Sequence, residues 1–321
     1  MEYMKVDNMN NSCKNAILGI AFNYTDLHLF PFLKSLEETG YKGELILFTN
    51  NKTSLASILE YDCNIRYINV EKELSFIGPI HRTFGWIARS LHLQHWWVGL
   101  HSRKIRSTLR KNQPLSKWLL GLFHHNFCLT AARFTYYYNW LIANDCRQCF
   151  FTDVTDVIFQ GDIFQQADAQ KVMVFEENAS VMLGNEKNNK LWVEASFGVD
   201  RLNSIRNSVI FCAGTILCSR QQGLDFLNDF ITEIIRDKKP LDLNGFDQGI
   251  LNYMVSHDRK EYFDASRNGE IVLTVATEAE NDIGITEGAI FLKNRKKAPA
   301  VVHQYNRYRK LIQFIQEKYI S

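Results

Sequence analysis

The stretch Phe150-Phe151-Thr152-Asp153-Val154-Thr155-Asp156-Val157-Ile158-Phe159-Gln160-Gly161-Asp162-Ile163-Phe164 decides how this chain reads. An apolar strand pattern is broken by two carboxylates three residues apart and then turns apolar again. Unpartnered Asp is rare in a buried strand, because removing a charge from water without a partner is very costly. Two such residues at a strand end imply a positive charge beside them, most simply a divalent metal with oxygen ligands. Open α/β sheets place ligand sites at the carboxyl ends of their strands. Asp153 and Asp156 are therefore candidate ligands for Mn2+ or Mg2+ facing a diphosphate. The alternative is a pair of turn-capping residues. Asp162, after Gly161, has the character of a turn or helix cap.

Upstream, residues 15–21, 44–49 and 65–70 read as strands. Between them helical spacing runs over 26–40, with Leu27, Phe30, Leu33 and Leu36 on one face, and a short helix covers 54–61. Strands alternating with helices at short intervals imply parallel strands joined by crossovers. Residues 75–113 read as helices with loops, 114–127 as an amphipathic helix, and 131–143 as the helix leading into a strand at 149–152. Downstream, 171–176 and 209–219 are strand-like, 185–190 is a polar loop, and 224–236 and 246–255 are helical. Residues 271–275, 289–292 and 301–302 are late strands. The expected fold class is α/β, with a Rossmann-like, mostly parallel central sheet flanked by helices.

At 321 residues the chain has room for one large α/β domain or two smaller ones, and no repeat or composition shift marks a linker. A net charge of +2 argues against a nucleic-acid partner held by overall charge. The charge is uneven, however. Leu74 to Asn144 contains no Asp or Glu, yet carries nine Lys and Arg residues, six His and five of the six Trp. Such a segment suits a surface meeting anionic lipid head groups or a phosphorylated ligand. The alternative is a solvated basic face with core tryptophans. The seven cysteines follow a polar Met1–Lys14 without a secretory signal, which implies reduced thiols and a cytoplasmic chain. Cys146 and Cys149 form a lone CxxC without the second pair that a zinc site needs. No run approaches 18 apolar residues, so nothing is expected to span a membrane.

Further candidates are scattered along the chain. Asp247-Gln248 lies near a helix start, where capping is the default role of Asp. His303 follows Ala300-Val301-Val302 and is either a satisfied core histidine or a metal ligand. Gly214, in Cys212-Ala213-Gly214-Thr215, marks a strand position that a backbone or ligand approaches closely. Arg133, on the helix before the Asp pair, suits a salt bridge or a phosphate clamp.

Taken in order, these features resemble the nucleotide-sugar glycosyltransferases of the GT-A fold, and among them the family-eight type of retaining galactosyl- and glucosyltransferases. The points of likeness are Arg133 in Ala132-Arg133-Phe134, Asp156-Val157 with Gly161-Asp162, Cys212-Ala213-Gly214, Asp247-Gln248 with Asn252, and His303. The run Thr-Asp-Val-Thr-Asp-Val-Ile-Phe-Gln also resembles a less characterised branch with a TDVxDVxFQ motif. The pattern departs from the family in three places. The Asp pair is DxxD rather than DxD, Cys212 replaces the Asn that touches the donor sugar, and the C-terminal Gly-Lys-Pro-Trp signature is absent.

The resemblance implies a metal-dependent hexosyltransferase acting on a nucleotide-diphosphate donor, a UDP-sugar, and a glycan or lipid-linked glycan acceptor, with retention. The metal, Mn2+ or Mg2+, would be held by Asp153, Asp156 and His303. Ala21, Asn23, Tyr24, Arg133, Asp153, Ala213, Gly214 and Arg307 would bind the donor, with Lys310 an alternative to Arg307. Gln248 would lie near the anomeric carbon, and Asp247 or Glu176 would be the base in an inverting variant. One domain over 1–321 is implied. Its nucleotide-sugar half lies near 13–160 and contains a basic helical insert at 75–144; its acceptor half lies near 161–321. The segment Ile80–Trp118, with Trp96, Trp97 and Trp118, is where acceptor or membrane contact at the inner face is expected. The competing classes are a sugar nucleotidyltransferase, for which Gly19 alone is a poor phosphate loop, and a non-catalytic nucleotide-sugar binder.

Overall fold

Two short apolar runs, β1 (Ala16–Ala21) and β2 (Glu44–Thr49), and the more polar β3 (Asn64–Asn69) pair in parallel with β2 in the middle. The structure, a computed structural model, describes residues 14–54, 64–75, 78–90, 93–236, 239–258 and 262–320. On its other edge β1 pairs in parallel with β4 (Gln148–Thr152). After the aspartate turn come β5 (Val157–Phe159), β6 (Val172–Glu176), β7 (Phe211–Ser219) and β8 (Phe263–Ser266). β7 runs antiparallel between β4 and β6, and β8 closes the edge parallel to β6. The central sheet therefore has the order β3-β2-β1-β4-β7-β6-β8 and is mostly parallel.

A second sheet forms beside it. β9 (Val272–Thr274) is followed by a hairpin of β10 (Ile283–Thr286) and β11 (Ala289–Leu292), and then by β12 (Val301–His303). β12 lies between β5, antiparallel, and β9, parallel. This pairing brings the end of the chain back to the aspartate turn.

Successive strand residues point to opposite faces, and the two cores follow that alternation. Leu18, Ile46, Phe48 and Phe151 share one core with Phe134, Tyr137 and Phe230 of the helices Leu129–Ala143 and Arg220–Ile234. Ile17, Leu45, Leu47 and Phe150 share the other with Leu29, Phe32, Leu33 and Leu36 of the helix Asp26–Glu38. Helices thus cover both faces, as the fold class predicts.

Several sequence expectations need correcting. The buried stripe of the first helix is 29, 32, 33, 36, and Leu27 lies off it at 72% exposure. The polar run 185–190 is not a loop throughout. Glu186 caps the helix Lys187–Phe197 by accepting from the Asn189 amide at 2.7 Å, so this run supplies a helix start. β8 and β10 had no clear signal. The helix expected over 54–61 falls, after Ser54, outside the described residues, as do Cys13 and Cys63. The five described cysteines are free. Among the described residues no helix is long and apolar enough to cross a membrane.

Candidate metal centre

The carboxyl end of β4 carries the site. Asp153 extends the strand's pairing by one residue, its amide donating to the Gly214 carbonyl at 2.9 Å. Asp156 closes the turn into β5. In the β5–β12 register His303 stands opposite Val157, and the Gln304 amide donates to the Asp156 carbonyl at 2.7 Å. Nε2 of the fully buried His303 is consequently 3.3 Å from Asp153 Oδ2 and 3.8 Å from Asp156 Oδ1. One ligand atom from each of the three residues lies within 4.8 Å of the other two.

Two observations test whether a divalent cation fits. His303 Nε2 is buried and faces two carboxylates, with no well-aligned hydrogen bond to either. Gly214 faces the same point, where a Cβ would lie 2.6 Å from Asp153 Oδ2 and 2.9 Å from His303 Nε2. Two carboxylate oxygens and an imidazole make a donor set that a divalent cation such as Mn2+ or Mg2+ can use.

Arg133 braces the site from the helix Leu129–Ala143. One guanidinium nitrogen bonds Asp153 Oδ1; the other donates to the Ala213 carbonyl at 2.9 Å and to Asp247 Oδ2 at 3.1 Å. Asp247 is buried and does not cap its helix. Gly245, at φ +89°, holds the cap position of Phe246–Tyr253. Burial works against the Asp153 charge, but Arg133 and His303 outweigh it and hold this carboxyl at about 2. Burial pushes Asp156 and Asp247 up. Burial also opposes charge on His303, yet contact with Cys212, Asp153 and Asp156 raises this imidazole well above its usual range.

Gln248 is held on every side. It accepts from the Ala213 amide at 3.3 Å and donates to Glu177 at 3.0 Å and Asn189 at 2.9 Å. Asn252 bonds both backbone groups of Phe211 at 2.8 Å and so fixes the start of β7. Ala21, Asn23 and Tyr24 lie at the same end of the sheet. Asn23, at φ +61°, exchanges two hydrogen bonds with Asn50, the Ala21 carbonyl accepts from Thr53, and the Tyr24 ring packs on His28. Beyond β2 and β3 there is a cavity of about 330 Å³ lined by Asn51, Glu71, Lys72, Arg82, His124 and His125. Arg307 is exposed and within electrostatic reach of Asp156. Lys310 turns elsewhere and donates to the carbonyls of Glu280 and Ile283.

No protein-family model matches the chain. No curated protein sequence matches it either. Among solved structures, that of the galactosyltransferase LgtC in complex with donor and acceptor sugar analogues is similar at 13% identity and a TM-score of 0.44. That match covers 94% of this chain and 95% of that one. It is a likeness of outline only.

Glu177 and Asn189 were missed by sequence reasoning. Glu176, the candidate base of an inverting variant, has Arg267, Glu270 and Arg295 as its electrostatic neighbours instead. Glu177 is the buried member of the pair; it bonds Gln248 and lies within electrostatic reach of His303. The available signal was the one that marked Asp153: acidic residues at the end of an apolar strand. Asn189 gave no signal, because it lies in a run that reads as solvated.

Proposed function

We propose that the chain is a metal-dependent glycosyltransferase of the GT-A type, built as one domain. In this account it moves a sugar from a UDP-sugar to a glycan or lipid-linked glycan, with retention, at the cytoplasmic face of a membrane. The observation that carries the proposal is the convergence of Asp153, Asp156 and His303 on a point kept open by Gly214. Bound Mn2+ or Mg2+ would supply countercharge for the diphosphate leaving group.

The chain's own residues take the remaining roles. Asp153, Asp156 and His303 hold the cation. Arg133 keeps Asp153 ionised and aimed, while Asp247 balances its second arm. Ala213 and Gly214 offer a backbone surface along the donor sugar. Gln248, fixed by Glu177 and Asn189, borders the anomeric carbon. Arg307 adds charge beside the diphosphate, and Ala21, Asn23 and Tyr24 receive the base at the ends of the parallel strands.

The test is release of nucleoside diphosphate from a panel of sugar nucleotides, with Mn2+ and with chelator. Metal-dependent release from one donor is expected. Donor-induced stabilisation without release would favour a non-catalytic binder, and neither effect with any donor would refute the proposal. Product anomeric configuration by NMR tests retention; clean inversion would overturn it.

A further inference from the structure

The helix Gln94–Arg110 buries Val98, Ile105 and Leu109 in the core. At 3.6 residues per turn its opposite side carries Trp96, Leu100, Arg103, Ser107 and Arg110, all exposed. That stripe is apolar at its start, with Trp96 at 60% and Leu100 at 56% exposure, and cationic at its end. The helix Gly78–Ser90 packs through Gly85, where a Cβ would lie 3.2 Å from Asn126 Oδ1. It leaves Ile80, Phe84, Trp86 and Ile87 exposed, Trp86 to 69%. Phe84 stacks on Trp97 with ring centroids 5.5 Å apart, which joins the two helices' apolar groups. With Leu93, these helices hold seven of the thirteen exposed large apolar side chains among the described residues, too many to be scatter.

The cationic end is organised as well. Arg103, Arg106, Arg110 and Lys111, with Ser102 and Ser107, line a cavity of about 520 Å³ that has no carboxylate in its wall. Arg106 Nε is buried there without a hydrogen-bond partner.

We propose that this face docks the protein on an anionic phospholipid bilayer. Trp86, Trp96 and Leu100 enter the boundary between head groups and acyl chains, and Arg103, Arg106, Arg110 and Lys111 meet lipid phosphates. An acidic protein would answer the cations and leave the tryptophans in water. A second copy docked face to face would set cations against cations. The surface deepens the membrane-side acceptor proposed above and rests on that proposal only for the acceptor; lipid binding is read without any transfer reaction.

The experiment is co-sedimentation of the full chain with phosphatidylcholine vesicles, with and without phosphatidylglycerol. Binding to the anionic vesicles at low salt is expected, weakening as salt shortens the Debye length. Arg103→Gln with Arg110→Gln should weaken it by roughly 25-fold, about fivefold per cation. Trp96→Ala with Leu100→Ala should weaken it and remove a vesicle-induced blue shift of tryptophan emission, with the melting temperature unchanged. No sedimentation at low salt would overturn the proposal, as would wild-type binding by both double variants. A dimer lost in Trp96→Ala without lipid binding would give the face to a second copy instead.

Discussion

A Cβ on Gly214 would stand 2.6 Å from Cε1 and 2.9 Å from Nε2 of His303. The imidazole is fully buried and paired through its backbone to β5, so it has nowhere to retreat. Gly214→Ala should therefore cost about 1–3 kcal/mol of stability and weaken cation binding by at least about tenfold. Thermal melting and Mn2+ titration check both; wild-type Mn2+ affinity would mean that the cradle holds nothing.

Asp156→Ala should keep the fold and lose the cation. Its carboxylate is half-buried, it pairs with His303 at 3.8 Å, and burial already disfavours its charge. Loss of one ligand should remove the Mn2+-induced rise in melting temperature and reduce donor turnover by several kcal/mol of barrier. Full turnover in this variant, with chelator present, would show that the cation has no part in it.

Arg133→Met should be the most damaging of the site variants. It strands Asp247, whose side chain is 3% exposed, and removal of one partner from a buried pair costs about 3–5 kcal/mol. Asp153, at 37% exposure, is partly screened and should contribute less. Adding Asp247→Asn should restore part of the loss, as measured by denaturant unfolding of the double variant. Arg133→Lys should not substitute, because one ammonium cannot span Asp153, Asp247 and the Ala213 carbonyl.

Cation affinity should rise with pH. His303 is held protonated above its usual range, so a cation must displace a proton that becomes scarcer as pH increases. Metal-free stability should move the other way. The raised imidazole stabilises fully below its unfolded value of 6.5, and this is lost as pH rises through the folded value. Asp153, depressed from 3.8 to about 2, stabilises above 3.8, and that part is lost as pH falls through about 2. Melting curves with chelator across pH check both limbs; the alkaline limb should vanish in His303→Gln.

Much of the frame was legible because its signals are local. Short continuous apolar runs mark β1, β2 and β4 as strands covered on both faces, and Asp153 and Asp156 stand out as charges where a strand should be apolar. Leu27 lies off the buried stripe, and spacing alone does not say which stripe faces the sheet; the packing of Leu29 and Phe32 decides that. The run at 185–190 misled because Asn and Lys report solvation, while the cap made by Glu186 needs three-dimensional geometry. His303 could be suspected but not placed, since its position depends on β12 pairing with β5 across the chain. Asp247 suggested a cap because nothing local reveals that Arg133, on another helix, reaches it.

The most direct measurement is an anomalous difference map from a crystal soaked with Mn2+ and UDP. The account predicts one strong peak bounded by Asp153, Asp156 and His303, with diphosphate oxygens completing its coordination. A peak elsewhere, or none while UDP is bound, would contradict it.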